Sequence, residues 1–362
     1  MEHSCRIGSE ETSPPYDGRP VELTATFLPG LAPFVRAELN EIGGVRGVRD
    51  LGQRSELSFG YRGPLRELFN LRTVLAPYRV LSFGVPRPRT LLASEHLQRI
   101  VDAVSTVQTL NPDLPPRSIR IDAAGSDSAT YARIAAELEN LTGLPRDQEE
   151  GNCHLRFRRS SAGGGWDVLV RLSTRPLSLR EWRTGGYPGG LNATIAAAIV
   201  RMTRPSAHDH YLNLMCGSGT LLVERLLAAP VARAVGIDYS DAAIGAARTN
   251  LRAAGLGRTT QLLAADLRDA DVLEPMAFNV VVSDPPWGDK HGSHRENREL
   301  YDMLLRRAAT AAPPGATLVV ITPEVRLMNG LLKATKEWKA EQHFQVDAKG
   351  HHPHIYAMRR VR

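Results

Sequence analysis

Asn213-Leu214-Met215-Cys216-Gly217-Ser218-Gly219-Thr220 is the stretch on which the fold turns. The apolar run at 211–215 reads as a strand, and a helix begins at Thr220. Between them Gly217 and Gly219 allow a tight backbone turn and leave no side chain to block a ligand lying against it. The helix start then offers N–H groups that have no partner within the helix, a setting that suits an anionic or nucleotide ligand.

Downstream, strand-like apolar runs recur at 234–237, 260–263, 279–282 and 317–321, most of them separated by helical stretches at 220–227, 241–254 and 299–311. That alternation predicts a parallel sheet with helices on both faces, a Rossmann-like α/β domain, closed by a strand pair at 344–346 and 354–359. Ligands of such a sheet bind beyond the carboxyl ends of its strands. The residues there become candidates for cofactor contact: Asn213, Met215, Cys216, Gly217, Ser218, Gly219 and Thr220 after the first strand, Asp238 and Tyr239 after the second, Asp266 and Leu267 after the third. A carboxylate at Asp238 can accept hydrogen bonds from two ribose hydroxyls. Asp266 can take an adenine amino group, or serve as a helix N-cap.

To this point a hydride-transfer enzyme fits as well. The fourth strand separates the readings, because it ends in Ser283-Asp284-Pro285-Pro286-Trp287-Gly288, a loop for which hydride transfer has no use. Methylating an exocyclic amine requires that the nitrogen be held in line with the methyl donor and that its developing charge be supported. Asp284 can accept one N–H and the carbonyl of Pro285 the other, since consecutive prolines fix the backbone. Trp287 offers a flat face for an extruded base, worth about 1–3 kcal/mol per stacked base. Asp284, Pro285 and Trp287 are the catalytic candidates and S-adenosylmethionine the expected cofactor.

Upstream, residues 21–83 follow a β-α-β-β-α-β pattern, the ferredoxin-like order, with helices at 31–42 and 64–70. A Pro-Arg stretch at 86–90 reads as a linker. A second small α+β unit then follows, with helices at 91–109 and 129–141, a strand at 117–123 and a hairpin of 153–159 with 166–173. The expected division is a disordered lead-in at 1–20, a ferredoxin-like domain at 21–88, an RNA-binding domain at 89–176, a connector and helix at 177–204, and the α/β domain at 205–362. On that division, removing 1–175 costs RNA affinity and leaves cofactor affinity intact.

The formal charge of +6 and pI near 9.4 favour a polyanionic partner. Between residues 151 and 187 seven arginines face two acids, Asp167 and Glu181. Guanidinium forks suit phosphate, which makes Arg156, Arg158, Arg159, Arg180, Arg183 and, near the catalytic loop, Lys290 the candidate RNA contacts. The bland alternative is a solvated arginine-rich face. Five histidines (His291, His294, His351, His352, His354) lack a coherent ligand spacing, so no metal is expected. No apolar run is long enough for a membrane span, no signal peptide is evident, and three scattered cysteines imply a reducing, cytoplasmic setting.

Residues 213–220, Asp238, Asp266 and Asp284-Pro285-Pro286-Trp287 resemble the cofactor and catalytic motifs of the THUMP-domain RNA guanine-N2 methyltransferases. Leu179-Arg180-Glu181-Trp182-Arg183 is similar to the stretch those enzymes place before the first motif, and Arg117–Ser173 resembles a THUMP module behind a ferredoxin-like domain. Within the family the likeness is to the enzymes that methylate guanine N2 in the tRNA acceptor stem. The resemblance implies a substrate in the acceptor end and stem of tRNA; a monomer is expected, with no membrane and no metal. Two residues depart from the pattern. Asn213 stands where the family has Asp, which removes a charge from the cofactor site. Trp287 stands where the family more often has Tyr or Phe; Trp there also resembles the adenine-N6 enzymes of messenger RNA, but those place this loop before the Gly-rich one. Adenine N6, ribosomal RNA or DNA as target, and an RNA-binding protein without turnover, remain the alternatives.

Overall fold

A computed structural model of the chain describes residues 20–362 except 53–54, 162, 188, 270–271, 274, 288–293 and 349. The lead-in, Pro20 apart, and Lys290 therefore lie outside the described residues. Among the described residues the chain forms two compact units, one made of the residues up to Thr26, Leu39–Leu71 and Ala76–Arg175, the other of Phe27–Glu38, Arg72–Leu75 and Pro176–Arg362.

The first unit is built on one seven-stranded sheet. Its elements are β1 (Val21–Thr26), β2 (Val45–Asp50), β3 (Glu56–Tyr61), β4 (Ala76–Phe83), α2 (Ser94–Leu110), β5 (Ile119–Ala123), α3 (Ala129–Thr142), β6 (Cys153–Arg159) and β7 (Trp166–Arg171); α1 (Ala32–Glu41) lies between β1 and β2 in the chain. The strand order is β2-β3-β1-β4-β7-β6-β5, so β1 to β4 keep the ferredoxin-like order. The two expected modules share this sheet, because β4 pairs antiparallel with β7 from Tyr78↔Arg171 to Phe83↔Trp166. Along α2 the residues Leu97, Ile100, Val104 and Val107 recur at helical spacing, and all four are buried against the sheet with Ile134 and Leu138 of α3. Gly143 ends α3 with φ +70°, its N–H returning to the Glu139 carbonyl. The expected helix at 64–70 is a 3-10 helix, Leu65–Asn70. The expected linker at 86–90 is also ordered: Pro88–Leu92 forms a 3-10 turn whose Leu91 is fully buried.

The second unit holds α4 (Ala193–Met202), β8 (His210–Leu214), α5 (Thr220–Ala228), β9 (Arg233–Asp238), α6 (Asp241–Ala253), β10 (Gln261–Ala264), β11 (Val280–Ser283), α7 (His294–Ala311), β12 (Thr317–Thr322), α8 (Val325–Ala334), β13 (Trp338–Gln345) and β14 (His354–Arg360). The sheet order is β10-β9-β8-β11-β12-β14-β13. All pairs are parallel except those made by β14, which runs antiparallel to both β12 and β13. Alternate residues on one sheet face, among them Leu212, Val281 and Leu318, pack on Tyr301, Leu304 and Ala308 of α7. Strand order reverses between β8 and β11, which places the switch point where β8, β9 and β11 end.

Candidate active site

The loop after β8 is shaped by backbone conformations that few residues tolerate. Met215, Gly217 and Gly219 all have left-handed φ, of +53°, +53° and +77°. For Met215 that conformation is strained, and strain of this kind persists where surrounding contacts hold it. Here the Cys216 N–H is held by the Ile237 carbonyl of β9 (2.9 Å) and the Gly219 N–H by the Cys216 carbonyl (2.9 Å). A Cβ on Gly219 would stand 3.1 Å from the Ala247 side chain of α6. Cys216 itself is buried, and burial pushes its thiol well above the usual range, so it is a packed residue and not a nucleophile.

Asp238 closes β9 against this loop. Its Oδ2 accepts the Gly217 N–H (2.8 Å) and its Oδ1 the Ser240 N–H (3.0 Å). Each carboxylate oxygen has a second lone pair, so the ribose-binding capacity assigned to Asp238 survives alongside these bonds. Tyr239 beside it is 74% exposed and free to cover a ligand. Asp266 is held by the Arg268 guanidinium (2.5–3.0 Å) and by the Arg268 N–H (2.9 Å), and this pairing keeps its carboxyl below the usual range. The neighbouring Leu267 is buried.

Asn213 does something the sequence did not disclose. Its Nδ2 donates to the carbonyls of Leu214 and Val282 (3.3 Å each), linking β8 to β11 at the switch point, while its buried Oδ1 has no partner. An aspartate here would press a carboxylate against two carbonyl oxygens. The departure from Asp therefore matches local geometry.

The connector before α4 grips the same loop. Arg183 donates to the Leu191 carbonyl (2.7 Å) and the Thr220 hydroxyl (3.0 Å). Asn250 of α6, fully buried, donates to the Ser218 carbonyl (2.9 Å) and brackets Gly185 through its N–H (2.8 Å) and carbonyl (3.3 Å). Arg180 binds Glu224 of α5 (2.9 Å) and the carbonyls of Leu177 and Arg72. Arg180 and Arg183 are thus internal clamps, and the RNA contacts expected of them are withdrawn. In the first unit Arg156 and Arg158 both bind the buried carboxylate of Glu56, and Arg156 also pairs with Asp122, so both guanidiniums have partners within the chain. Arg159 remains exposed, lying over the Trp166 ring at 4.8 Å.

The Asp284-Pro285-Pro286-Trp287 loop leaves β11 beside this cradle. The Ser283 hydroxyl donates to the Leu214 carbonyl (2.9 Å), which fixes the loop's root to β8. Asp284 is partly buried, and burial pushes its carboxyl up to about 7 despite the opposing hydrogen bond from Trp287. That bond runs from the indole Nε1–H to Oδ1 (2.9 Å), and His351 meets the Trp287 ring edge-on at 5.7 Å. Tyr301, buried in α7, reaches the Pro286 carbonyl (3.4 Å) and the Thr322 hydroxyl (2.6 Å). Among the described residues no cluster of three or more potential ligands could hold a metal ion, and no helix is long and apolar enough to cross a membrane.

A parallel sheet with a left-handed glycine cradle at its switch point, an acid closing the second strand and Asp-Pro-Pro-Trp closing the fourth defines an S-adenosylmethionine-dependent methyltransferase. The unpartnered Asn213 Oδ1, the left-handed turn and the start of α5 fit that cofactor. Residues 180–354 match the family model described as UPF0020: RMKL-like, methyltransferase domain. The chain is 22% identical to the tRNA (guanine(6)-N2)-methyltransferase of Methanocaldococcus jannaschii, over 89% of this chain and 95% of that one. It is 38% identical to the mouse U6 snRNA (guanine-N(2))-methyltransferase THUMPD2 over 38% of this chain, a match spanning 26% of that longer protein. In fold it is similar to the crystal structure of TrmN from Thermus thermophilus, with a TM-score of 0.75 and 21% identity over 94% of this chain and all of that one. Residues 180–354 thus carry a methyltransferase domain of that family model, and over most of its length the chain is similar to a guanine-N2 methyltransferase.

Proposed function

We propose that this methyltransferase modifies the exocyclic N2 of a guanosine in the acceptor stem of tRNA, with nucleotide 6, the position in the archaeal relative's name, as the target. The observation that carries the reading is the Asp284 carboxyl, set beside the cofactor cradle and pushed up to about 7. A group of that strength accepts a proton effectively at neutral pH. Bound S-adenosylmethionine supplies an electrophilic methyl group. Asp284 accepts one N–H of the guanine amine, and the Pro285 carbonyl the other. As the nitrogen gains the methyl group and loses a proton, that proton passes to Asp284. Trp287 holds Oδ1 through its indole N–H and offers its ring to the base.

Residues 21–176 supply RNA binding, divided at about 88 into ferredoxin-like and THUMP modules. Arg159, stacked on Trp166, and Lys290 are the phosphate contacts retained. The enzyme acts as a monomer and needs no metal, since the methyl donor is already activated. The cytoplasm, where tRNA is at hand, is the compartment this reading implies. Incubation with labelled S-adenosylmethionine and, in parallel, total tRNA, ribosomal RNA and DNA tests the substrate. Label in tRNA is expected; label confined to the other two contradicts the proposal.

A further inference from the structure

Guanine and adenine differ most at the edge that carries the reacting amine. Guanine presents two donors side by side, N1–H and the N2 amine, whereas the adenine N1 is an acceptor. An enzyme that commits to guanine N2 therefore needs a second acceptor next to the one that takes the amine. Without it, nothing rewards the N1 proton and nothing penalises its absence.

The structure holds a second carboxylate at the right end of the sheet. Glu324 lies just past the carboxyl end of β12, the strand paired with β11 in parallel register through Ser283↔Val320. It is tied to the catalytic loop by a short relay. The Glu324 N–H donates to the Thr322 hydroxyl (2.9 Å), which meets the Tyr301 phenol (2.6 Å), which in turn reaches the Pro286 carbonyl (3.4 Å). Burial raises the Tyr301 phenol, and the charges of both Glu324 and Asp284 raise it further, so one buried phenol feels both acids. The Glu324 carboxylate is partly exposed, and Asn297 at the start of α7 donates to its Oε1 at 3.4 Å. It sits on none of the cofactor-binding strand ends β8, β9 or β10, and no step of the methyl transfer described above employs it.

We infer that Glu324 is the base-recognition residue of this site, accepting the guanine N1–H while Asp284 holds the N2 amine, with Asn297 and the Thr322–Tyr301 relay fixing its position against the catalytic loop. Against adenine the same carboxylate faces a lone pair, and like meets like. This inference rests on the guanine-N2 reading and deepens it by naming what selects the base.

The test compares two bases at the target position, first located by nucleoside mapping of the methylated tRNA. Synthetic tRNA carrying guanosine or 2-aminopurine there presents the N2 amine in both cases, but N1 carries a proton only in guanosine. The full-length wild type is expected to prefer guanosine in kcat/KM by about 100-fold or more. Glu324→Gln replaces an acceptor oxygen with an amide donor. It is expected to shrink that preference at least tenfold, losing rate on guanosine and gaining it on 2-aminopurine. Should the Gln variant fail to fold, Glu324→Ala is expected to shrink the ratio without the gain. An unchanged ratio, with both rates falling together, assigns Glu324 a merely structural part and overturns the inference while leaving the guanine reading intact. A wild type that transfers methyl to another base and not to guanosine overturns the guanine reading itself.

Discussion

Asp284 is the residue on which the proposed chemistry depends. Asp284→Ala is expected to lower kcat by about 10²–10⁴-fold, the range for loss of a general base, with cofactor affinity by calorimetry nearly unchanged. Because burial raises its carboxyl to about 7, kcat/KM is expected to fall as pH drops through that value, where the acceptor becomes protonated. Stability runs the other way. A raised folded pKa contributes stability that is full below the unfolded value near 3.8 and is lost as pH rises through about 7. An Asp284→Asn variant is thus expected to gain melting temperature over the wild type progressively between those values and level off above them; a gain that shrinks with pH contradicts this account. Trp287→Phe keeps a ring but removes the indole N–H from Oδ1, so the acid limb of the rate profile is expected to move to higher pH. At Asn213, substitution by the family's Asp is expected to destabilise the fold by about 1–3 kcal/mol, since the Nδ2 donor to two carbonyls is lost; an unchanged or raised melting temperature contradicts the strand-linking role.

At the scale of elements, the turn from β8 into α5 was legible because glycine spacing and strand-end acids report backbone needs directly. Gly217, Gly219 and Asp238 stand where the sequence placed them. Gly219→Ala is expected to weaken cofactor binding at least tenfold, because φ +77° and the 3.1 Å approach to Ala247 leave no relaxed place for a Cβ. The arginine-rich stretch holds internal ion pairs for a physical reason. Arg156 and Arg158 share one face of β6 by the two-residue period of a strand, and their acid, Glu56, stands far upstream on β3. Charge counts along the chain do not show pairing across a sheet. Helix α8 was not foreseen, and Asn329 and Gly330 inside it are weak helix formers. Tyr301, Asn250 and Glu324 act through tertiary contacts that no local pattern announces.

At the scale of the whole molecule, the methyltransferase unit includes chain from far upstream. Phe34 of α1 packs edge-on against Phe344 (5.6 Å), the Asp347 N–H donates to the Pro29 carbonyl (3.1 Å), and Arg72 binds the buried Glu224 carboxylate (2.7 Å) opposite Arg180. The sequence suggested that residues 1–175 could be removed without cost to cofactor binding. The structure argues against that expectation, because the truncation removes Arg72 and leaves the buried Glu224 carboxylate with Arg180 alone. Residues 176–362 alone are expected to melt well below the full chain and to bind S-adenosylmethionine weakly; full-strength binding by that fragment contradicts this. Arg72→Met in the full chain isolates the cluster's share of the effect.

The most direct test of the central claim is mass spectrometry of nucleosides from tRNA incubated with the wild-type chain and isotopically labelled S-adenosylmethionine, beside an Asp284→Ala control. Labelled N2-methylguanosine from the wild type, and none from the control, is the expected result. Label in N6-methyladenosine, or equal N2-methylguanosine with Asp284 removed, contradicts the assignment of this loop to guanine N2.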